Sequence, residues 1–152
     1  MRDLDGRATA PATRPAAFPS PMTDQVVLGF DFGARRIGVA IGNSVTREAR
    51  PLTTVNAATV AARWDAVAAL VAEWEPAHRV VGIPRHPDGT PHEMTARCER
   101  FARQLEGRFR RPVARADERY TSAVSARADD VDAAAAALIL QQWFDEESGR
   151  DA

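Results

Sequence analysis

Apolar residues recur along this chain with two different periods, and each change of period marks the start of a new element. Strict alternation predicts strands, and recurrence at three and four residues predicts helices. The predicted strands are Val26–Phe32, Arg36–Gly42, Ala49–Val55, Arg79–Ile83 and Pro112–Ala116. The predicted helices are Ala58–Glu75, Pro91–Phe109 and Asp132–Phe144.

Prolines and glycines set the expected ends of these elements. The short FGAR link after the first strand predicts a hairpin with the second. Pro51 indicates that the third strand lies at an edge, since proline cannot donate to a ladder on both sides. Pro84 is expected to end the fourth strand and to open a loop that reaches Pro91.

The order β-β-β-α-β-α-β-α predicts an α/β fold. We expect a mixed five-stranded sheet, in which an antiparallel three-strand meander is followed by parallel βα units, with helices packed on the sheet. Residues 25–147 form the predicted domain. Residues 1–24 hold almost no large apolar side chain and are expected to be a disordered extension, and residues 148–152 a flexible tail.

Composition narrows the possible classes of protein. The chain has 152 residues and a net charge of −1, and all of its Lys and Arg positions are arginine, which indicates genome bias more than function. No window reaches the roughly 18 apolar residues that a membrane span needs. The single cysteine, Cys98, excludes an internal disulfide and favours the cytoplasm, and its place in a helical pattern predicts a packed side chain.

Acidic residues stand where predicted strands end. Asp31 follows a buried strand, and Asp117 and Glu118 follow the last one. The carboxyl ends of the parallel strands meet at one edge of such a sheet, where ligands collect. Asp132 opens the final helix. Three converging carboxylates repel one another unless a cation binds, and hard oxygen ligands favour Mg²⁺ or Mn²⁺.

Each acid also has a purely structural interpretation. Asp31 can cap the turn into Gly33. Asp132 can stabilise a helix N-terminus through capping and the helix dipole. Asp117 and Glu118 can be a solvated strand end.

Basic and hydroxyl side chains near the same edge are candidate contacts to phosphate. Arg35 and Arg36 lie on the hairpin beside Asp31, and arginine suits bidentate phosphate binding. Arg85 and His86, in the loop after the fourth strand, are also candidates, although exposure to solvent alone also explains polar residues in such a loop. The remaining candidates follow the last strand: Arg119, Thr121 and Ser122.

Five segments in order resemble the YqgF/RuvX family of pre-16S ribosomal RNA nucleases, which are also called Holliday junction resolvase-like proteins. They are FDFGARRIGVAIG, ARPLTTV, VVGIPRHPDGT, DERYTS and DAAAAALILQQWFD, and they span nearly all of residues 26–145. The resemblance implies an RNase H-like fold. It also implies that Asp31, Glu118 and Asp132 are the catalytic, metal-binding acids.

The implied function is metal-dependent endonucleolytic processing of the 5′ end of precursor 16S rRNA in the cytoplasm. The expected partners are nucleic acid and a pre-ribosomal particle, with no membrane, for a monomer or homodimer. Three alternatives stay open: a resolvase acting on branched DNA, a non-catalytic RNA-binding factor in ribosome maturation or transcription, and a relative of actin-like ATPases. The sequence does not separate RNA from DNA, because both present the same phosphates.

Overall fold

The computed structural model describes residues 25–119 and 131–151 of the chain. Its strands are β1 (Val26–Phe32), β2 (Arg36–Asn43), β3 (Glu48–Asn56), β4 (His78–Arg85) and β5 (Val113–Arg119). Its helices are α1 (Val60–Trp74), α2 (Thr95–Phe109) and α3 (Val131–Asp151). The predicted extension over residues 1–24 lies outside the described residues.

The five strands form one sheet in the order β3-β2-β1-β4-β5. β2 runs antiparallel to both β1 and β3, whereas β4 runs parallel to β1 and β5 runs parallel to β4. This arrangement confirms the predicted mixed sheet of a meander followed by parallel units. β3, which carries Pro51, is an edge strand as predicted.

The alternation along the strands divides the core into two layers. On one face, Leu28 and Phe30 of β1 pack with Trp64 of α1 and Phe101 of α2. On the other face, α3 covers a smaller cluster of residues: Val27, Ala40, Val80, Ala116, Ala136, Ile139, Leu140 and Phe144. A change of one residue in register along β1 therefore moves a side chain from the α1/α2 side to the α3 side.

Glycines let α3 approach the sheet closely. A Cβ on Gly38 would lie 1.8 Å from the backbone oxygen of Asp132, which leaves no room for any side chain there. A Cβ on Gly82 would lie 2.5 Å from Cδ1 of Ile139. These contacts place the first turn of α3 directly over β2, next to the end of β1.

Three predicted boundaries were wrong. β4 continues through Pro84 to Arg85, because its pairing with β1 ends at Val81 and the missing N–H of Pro84 breaks no bond to that strand. α2 begins at Thr95 instead of Pro91, because Pro91 forms an antiparallel bridge with Arg85.

The third is the end of the last helix. The sequence places this end at Phe144, whereas α3 continues to Asp151. The flexible tail over residues 148–152 stays a prediction. Smaller shifts of one to three residues occur at other ends, and β5 gains the three residues after Ala116.

Two further expectations concern burial. Cys98 is buried in α2, as its helical pattern predicts. Burial raises the pKa of its thiol to about 12, and the charges of Asp31 and Glu118 add to that shift. Among the described residues, no helix is both long enough and apolar enough to cross a membrane.

Candidate active site

Asp31 lies near the carboxyl end of β1 and faces α3. It shares this face with Val27 and Gly29, and its neighbour on β2 is Gly38. Burial raises the pKa of Asp31 to about 6, and the nearby charge of Asp132 contributes to the same shift. The strand thus holds a carboxylate where ionisation is costly.

Glu118 lies on the same face, two strands away. The sequence predicts an end of β5 at Ala116, but the strand runs to Arg119 and therefore fixes the direction of the Glu118 side chain. A Cβ on Gly82 of β4 would lie 3.3 Å from Oε1 of Glu118, so this carboxylate leans over β4 toward β1. Burial raises its pKa to about 7, with Asp31 as the second cause.

Among the described residues, no group compensates the charge of these two carboxylates by a hydrogen bond or a salt bridge. Within residues 25–119 and 131–147, neither Asp31 nor Glu118 accepts a hydrogen bond or forms a salt bridge through its side chain. Buried carboxylates are normally paired or coordinated, so this pair is where the fold leaves negative charge unbalanced.

Asp132 lies close to this pair, but Arg36 binds it. Nε of Arg36 donates to Oδ2 of Asp132 at 2.8 Å. The two residues are 96 positions apart, and no local pattern in the sequence indicates that they meet. The first turn of α3 thus brings a third acid to the site while its side chain contacts an arginine.

The donor set fits a divalent cation only in part. Asp31 and Glu118 offer the hard oxygen ligands that Mg²⁺ and Mn²⁺ prefer, and a cation would remove their mutual repulsion. In the part of the chain that the structure describes, however, no three His, Cys, Asp or Glu side chains are grouped closely enough to hold one ion. Asp31 and Glu118 therefore lie together, whereas Asp132 does not complete a group of three acidic ligands.

Arg35 and Arg36 lie together in the hairpin turn next to the acids. Both line an open groove of about 420 Å³ that continues along the end of β3 over Thr54, Val55, Asn56 and Ala58. Both side chains are exposed. Arg36, which binds Asp132, therefore also lines this groove.

Two of the other predicted phosphate contacts, Arg85 and His86, lie apart from this group. The register of β4 places Arg85 on the α1/α2 side, where it pairs with Asp117 at 3.6 Å. The His86 ring lies 5.2 Å from the ring of His92, in the turn after β4. The backbone of Arg119 in β5 lies next to that of Arg85 in β4. The side chain of Arg119 lies outside the described part of the structure, as do Thr121 and Ser122.

Comparison with known proteins identifies the family. A family model described as "RuvX: Holliday junction resolvase" matches residues 25–146. The chain belongs to this family. The match begins at the residue before β1 and includes all five strands and most of α3.

Curated relatives agree with the RuvX assignment. A protein of Paraburkholderia xenovorans named "Putative pre-16S rRNA nuclease" is 52% identical over 130 residues, covering 80% of this chain and 89% of its own length. One of the same name from Polynucleobacter necessarius is 50% identical over 137 residues, covering 88% and 91%. Together with the family, these names indicate a phosphodiester hydrolase.

A solved structure supports the fold. The RuvC protein of T. thermophilus, described in complex with a Holliday junction substrate, matches with a TM-score of 0.50 at 16% identity. The match covers 82% of this chain and 96% of that one. It confirms the predicted RNase H-like architecture.

Proposed function

We propose that this chain is a divalent-metal-dependent endonuclease that trims the 5′ end of precursor 16S rRNA in the cytoplasm. The observation that carries the proposal is the pair of partly buried carboxylates, Asp31 and Glu118, on the α3 face of the sheet, which no described residue compensates. The names of the curated relatives support the choice of substrate.

In this proposal, Asp31 and Glu118 hold Mg²⁺ or Mn²⁺, and Asp132 joins them after it leaves Arg36. The ion supplies electrostatic stabilisation of the charge that develops on the phosphate during hydrolysis. Partial burial strengthens the attraction of the two carboxylates for a cation, because fewer water molecules compete for their oxygens. Separation of Asp132 from Arg36 requires little energy, because the arginine is two-thirds exposed and such pairs contribute about 0–1 kcal/mol.

Arg36 then has a second partner to bind. Once it leaves Asp132, its guanidinium can donate to a phosphate oxygen of the substrate, and Arg35 lies beside it along the same groove. A substrate that takes Arg36 thereby favours the release of Asp132 toward the metal. Substrate binding and completion of the site are coupled in this scheme.

The test compares two neighbouring acids on one strand. Glu118→Gln should abolish cleavage of a precursor 16S rRNA fragment, whereas Asp117→Asn should retain it, because Asp117 lies on the opposite face and pairs with Arg85. Asp31→Asn should also be inactive, and a chelator should stop the wild type. Equal activity of Glu118→Gln and Asp117→Asn would refute the site.

The description of the family favours a second candidate, a resolvase acting on branched DNA. The same acids would serve either reaction. Side-by-side cleavage of a precursor rRNA fragment and a four-way DNA junction separates the two, and the proposal expects the rRNA fragment to be cut more efficiently. Rescue of a deletion strain by Asp31→Asn would instead indicate a non-catalytic binding factor.

A further inference from the structure

Two arginines lie close to the candidate site on the other side of the sheet, at the N-terminal ends of α1 and α2. Arg63 is in the first turn of α1 and Arg97 is in the first turn of α2. Both helices begin at the edge where β1 ends. Ala57, just before α1, donates its backbone N–H to the carbonyl of Arg35 in the β1–β2 turn, and Cys98 Sγ lies 3.9 Å from the Phe32 carbonyl oxygen.

Arg63 is held in an unusual position for a cation. Its guanidinium carbon lies 5.0 Å from the centre of the Phe32 ring. Its Nε is buried and has no hydrogen-bond partner among the described residues. Such a donor normally finds an acceptor, and the described residues supply none at this atom, so the positive charge of Arg63 is left unbalanced.

Arg97 adds a second positive charge without balancing the first. Its Nη1 lies 4.0 Å from the Met94 sulfur, and the residue is exposed. Desolvation lowers the pKa of Arg63, and the charge of Arg97 lowers it further, so the two cations repel each other. Within the described ranges, neither arginine forms a salt bridge.

The contrast with Arg115 shows that acids of α2 neutralise one other arginine on this side. Arg115 binds Glu106 at 2.7 Å and Glu99 at 3.3 Å, both from α2. Among the described residues, no acid does the same for Arg63 at the start of α1 or for Arg97 at the start of α2. The backbone N–H groups there also favour anions, since the N-cap residue Met94 makes no side-chain capping bond.

The arginine pair and the carboxylate pair lie at one end of β1 on opposite faces. Phe32, under Arg63, directly follows Asp31. The Cys98 thiol lies close enough to Asp31, Glu118 and Arg97 to sense all three charges. A chain of phosphates that crosses this edge can therefore reach both pairs.

We propose that Arg63 and Arg97 bind a backbone phosphate of the substrate strand, separate from the phosphate that is cleaved. The strand then crosses the carboxyl end of β1, from the acids on the α3 side to the arginines on the α1/α2 side. This inference rests on the proposed nuclease function. It assigns a role to Arg63, which belongs to no sequence motif, and to Arg97, which lies in a helix where acidic and basic residues alternate.

The experiment measures binding of a fluorescently labelled precursor 16S rRNA fragment in the presence of EDTA, which prevents cleavage, over a range of salt concentrations. Arg63→Gln and Arg97→Gln should each weaken binding about fivefold and reduce the slope of log K against log salt by about 1. Arg103→Gln removes the same charge two turns further along α2 and should change neither quantity. Thermal unfolding of each variant checks its fold, and Arg97→Gln carries the test alone if Arg63→Gln does not fold.

The outcomes separate this inference from the proposed function. A wild type that neither binds nor cleaves the RNA would overturn both. A wild type that binds and cleaves, with Arg97→Gln binding like Arg103→Gln, would overturn the arginine site alone. Binding of inorganic phosphate at the pair without any effect of the variants on RNA binding would assign the pair to a small anion and would also overturn the inference.

Discussion

Asp31 and Glu118 are partly buried, where a charge is unfavourable, and this cost affects the stability of the metal-free protein. The pKa of Asp31 rises to about 6 and that of Glu118 to about 7, mainly because burial removes water. The folded chain therefore retains protons that the unfolded chain loses between about pH 4 and pH 7. The stability that this pair contributes is complete below about pH 4 and is lost as the pH rises toward 7.

Asp31→Asn should remove the part of this cost that belongs to Asp31. In EDTA at pH 8, we expect its free energy of unfolding to exceed that of the wild type by up to about 3 kcal/mol, since one pKa unit corresponds to about 1.4 kcal/mol. The difference should shrink at pH 4.5. Urea unfolding at both pH values measures it, and a difference that does not depend on pH would contradict the shifted pKa.

Arg79 is a second buried charge, far from the acids. Its side chain is only 3% exposed and packs near the Phe109 ring, and its Nε and Nη1 have no partner among the described residues. Arg79→Met should stabilise the protein by about 1–2 kcal/mol, because it removes unsatisfied hydrogen-bond donors and keeps a long, unbranched side chain in the same space. The exposed Arg100→Met is the control, and a loss of stability in Arg79→Met alone would show that the arginine contributes favourably.

At the scale of elements, α3 is the helix that completes the site. Its first turn carries Asp132 and lies against Gly38 of β2, which pairs with Asp31. The position of the third acid thus depends on a residue without a side chain. The separation between α3 and the sheet decides whether Asp132 can reach the other two.

Gly38→Ala should therefore damage stability and activity together. The added methyl group would overlap the backbone of Asp132 and push the start of α3 away, at a cost of at least about 1–3 kcal/mol. Gly107→Ala is the matched control, because a Cβ there meets nothing within 4 Å, and an alanine inside α2 should stabilise by about 0.5–1 kcal/mol. Thermal unfolding compares the two, and a Gly38→Ala variant as stable as the wild type would contradict the close packing.

The sequence predicts elements better than it predicts contacts between them. β1 has the predicted bounds, and the alternation of side chains along the strand is enough to place Asp31 and Phe30 on opposite faces of the sheet. The start of α2 was wrong because Thr95 donates its hydroxyl to the Pro84 carbonyl, a tertiary contact that fixes where the helix begins. The Arg36–Asp132 pair and the Arg63–Phe32 contact join distant segments, so no periodicity reveals them.

At the scale of the whole molecule, the sheet order explains how distant acids meet. β1 is the central strand, and β4 lies between it and β5. Gly82 of β4 therefore lies between the strand that carries Asp31 and the strand that carries Glu118. A glycine there leaves space above the sheet for the Ile139 side chain and for the Glu118 carboxylate. The two faces of the sheet then have different roles. The acids lie on the α3 side, and in our inference the α1/α2 side binds a phosphate of the substrate.

The most direct test of this account is a crystal structure of the protein soaked in Mn²⁺, with anomalous scattering recorded to locate the ion. We predict an anomalous peak between the carboxylates of Asp31 and Glu118, with the Asp132 side chain turned away from Arg36 toward the ion. An absence of density there at saturating Mn²⁺, with the two carboxylates still unpaired, would contradict the central claim that these acids form a metal site.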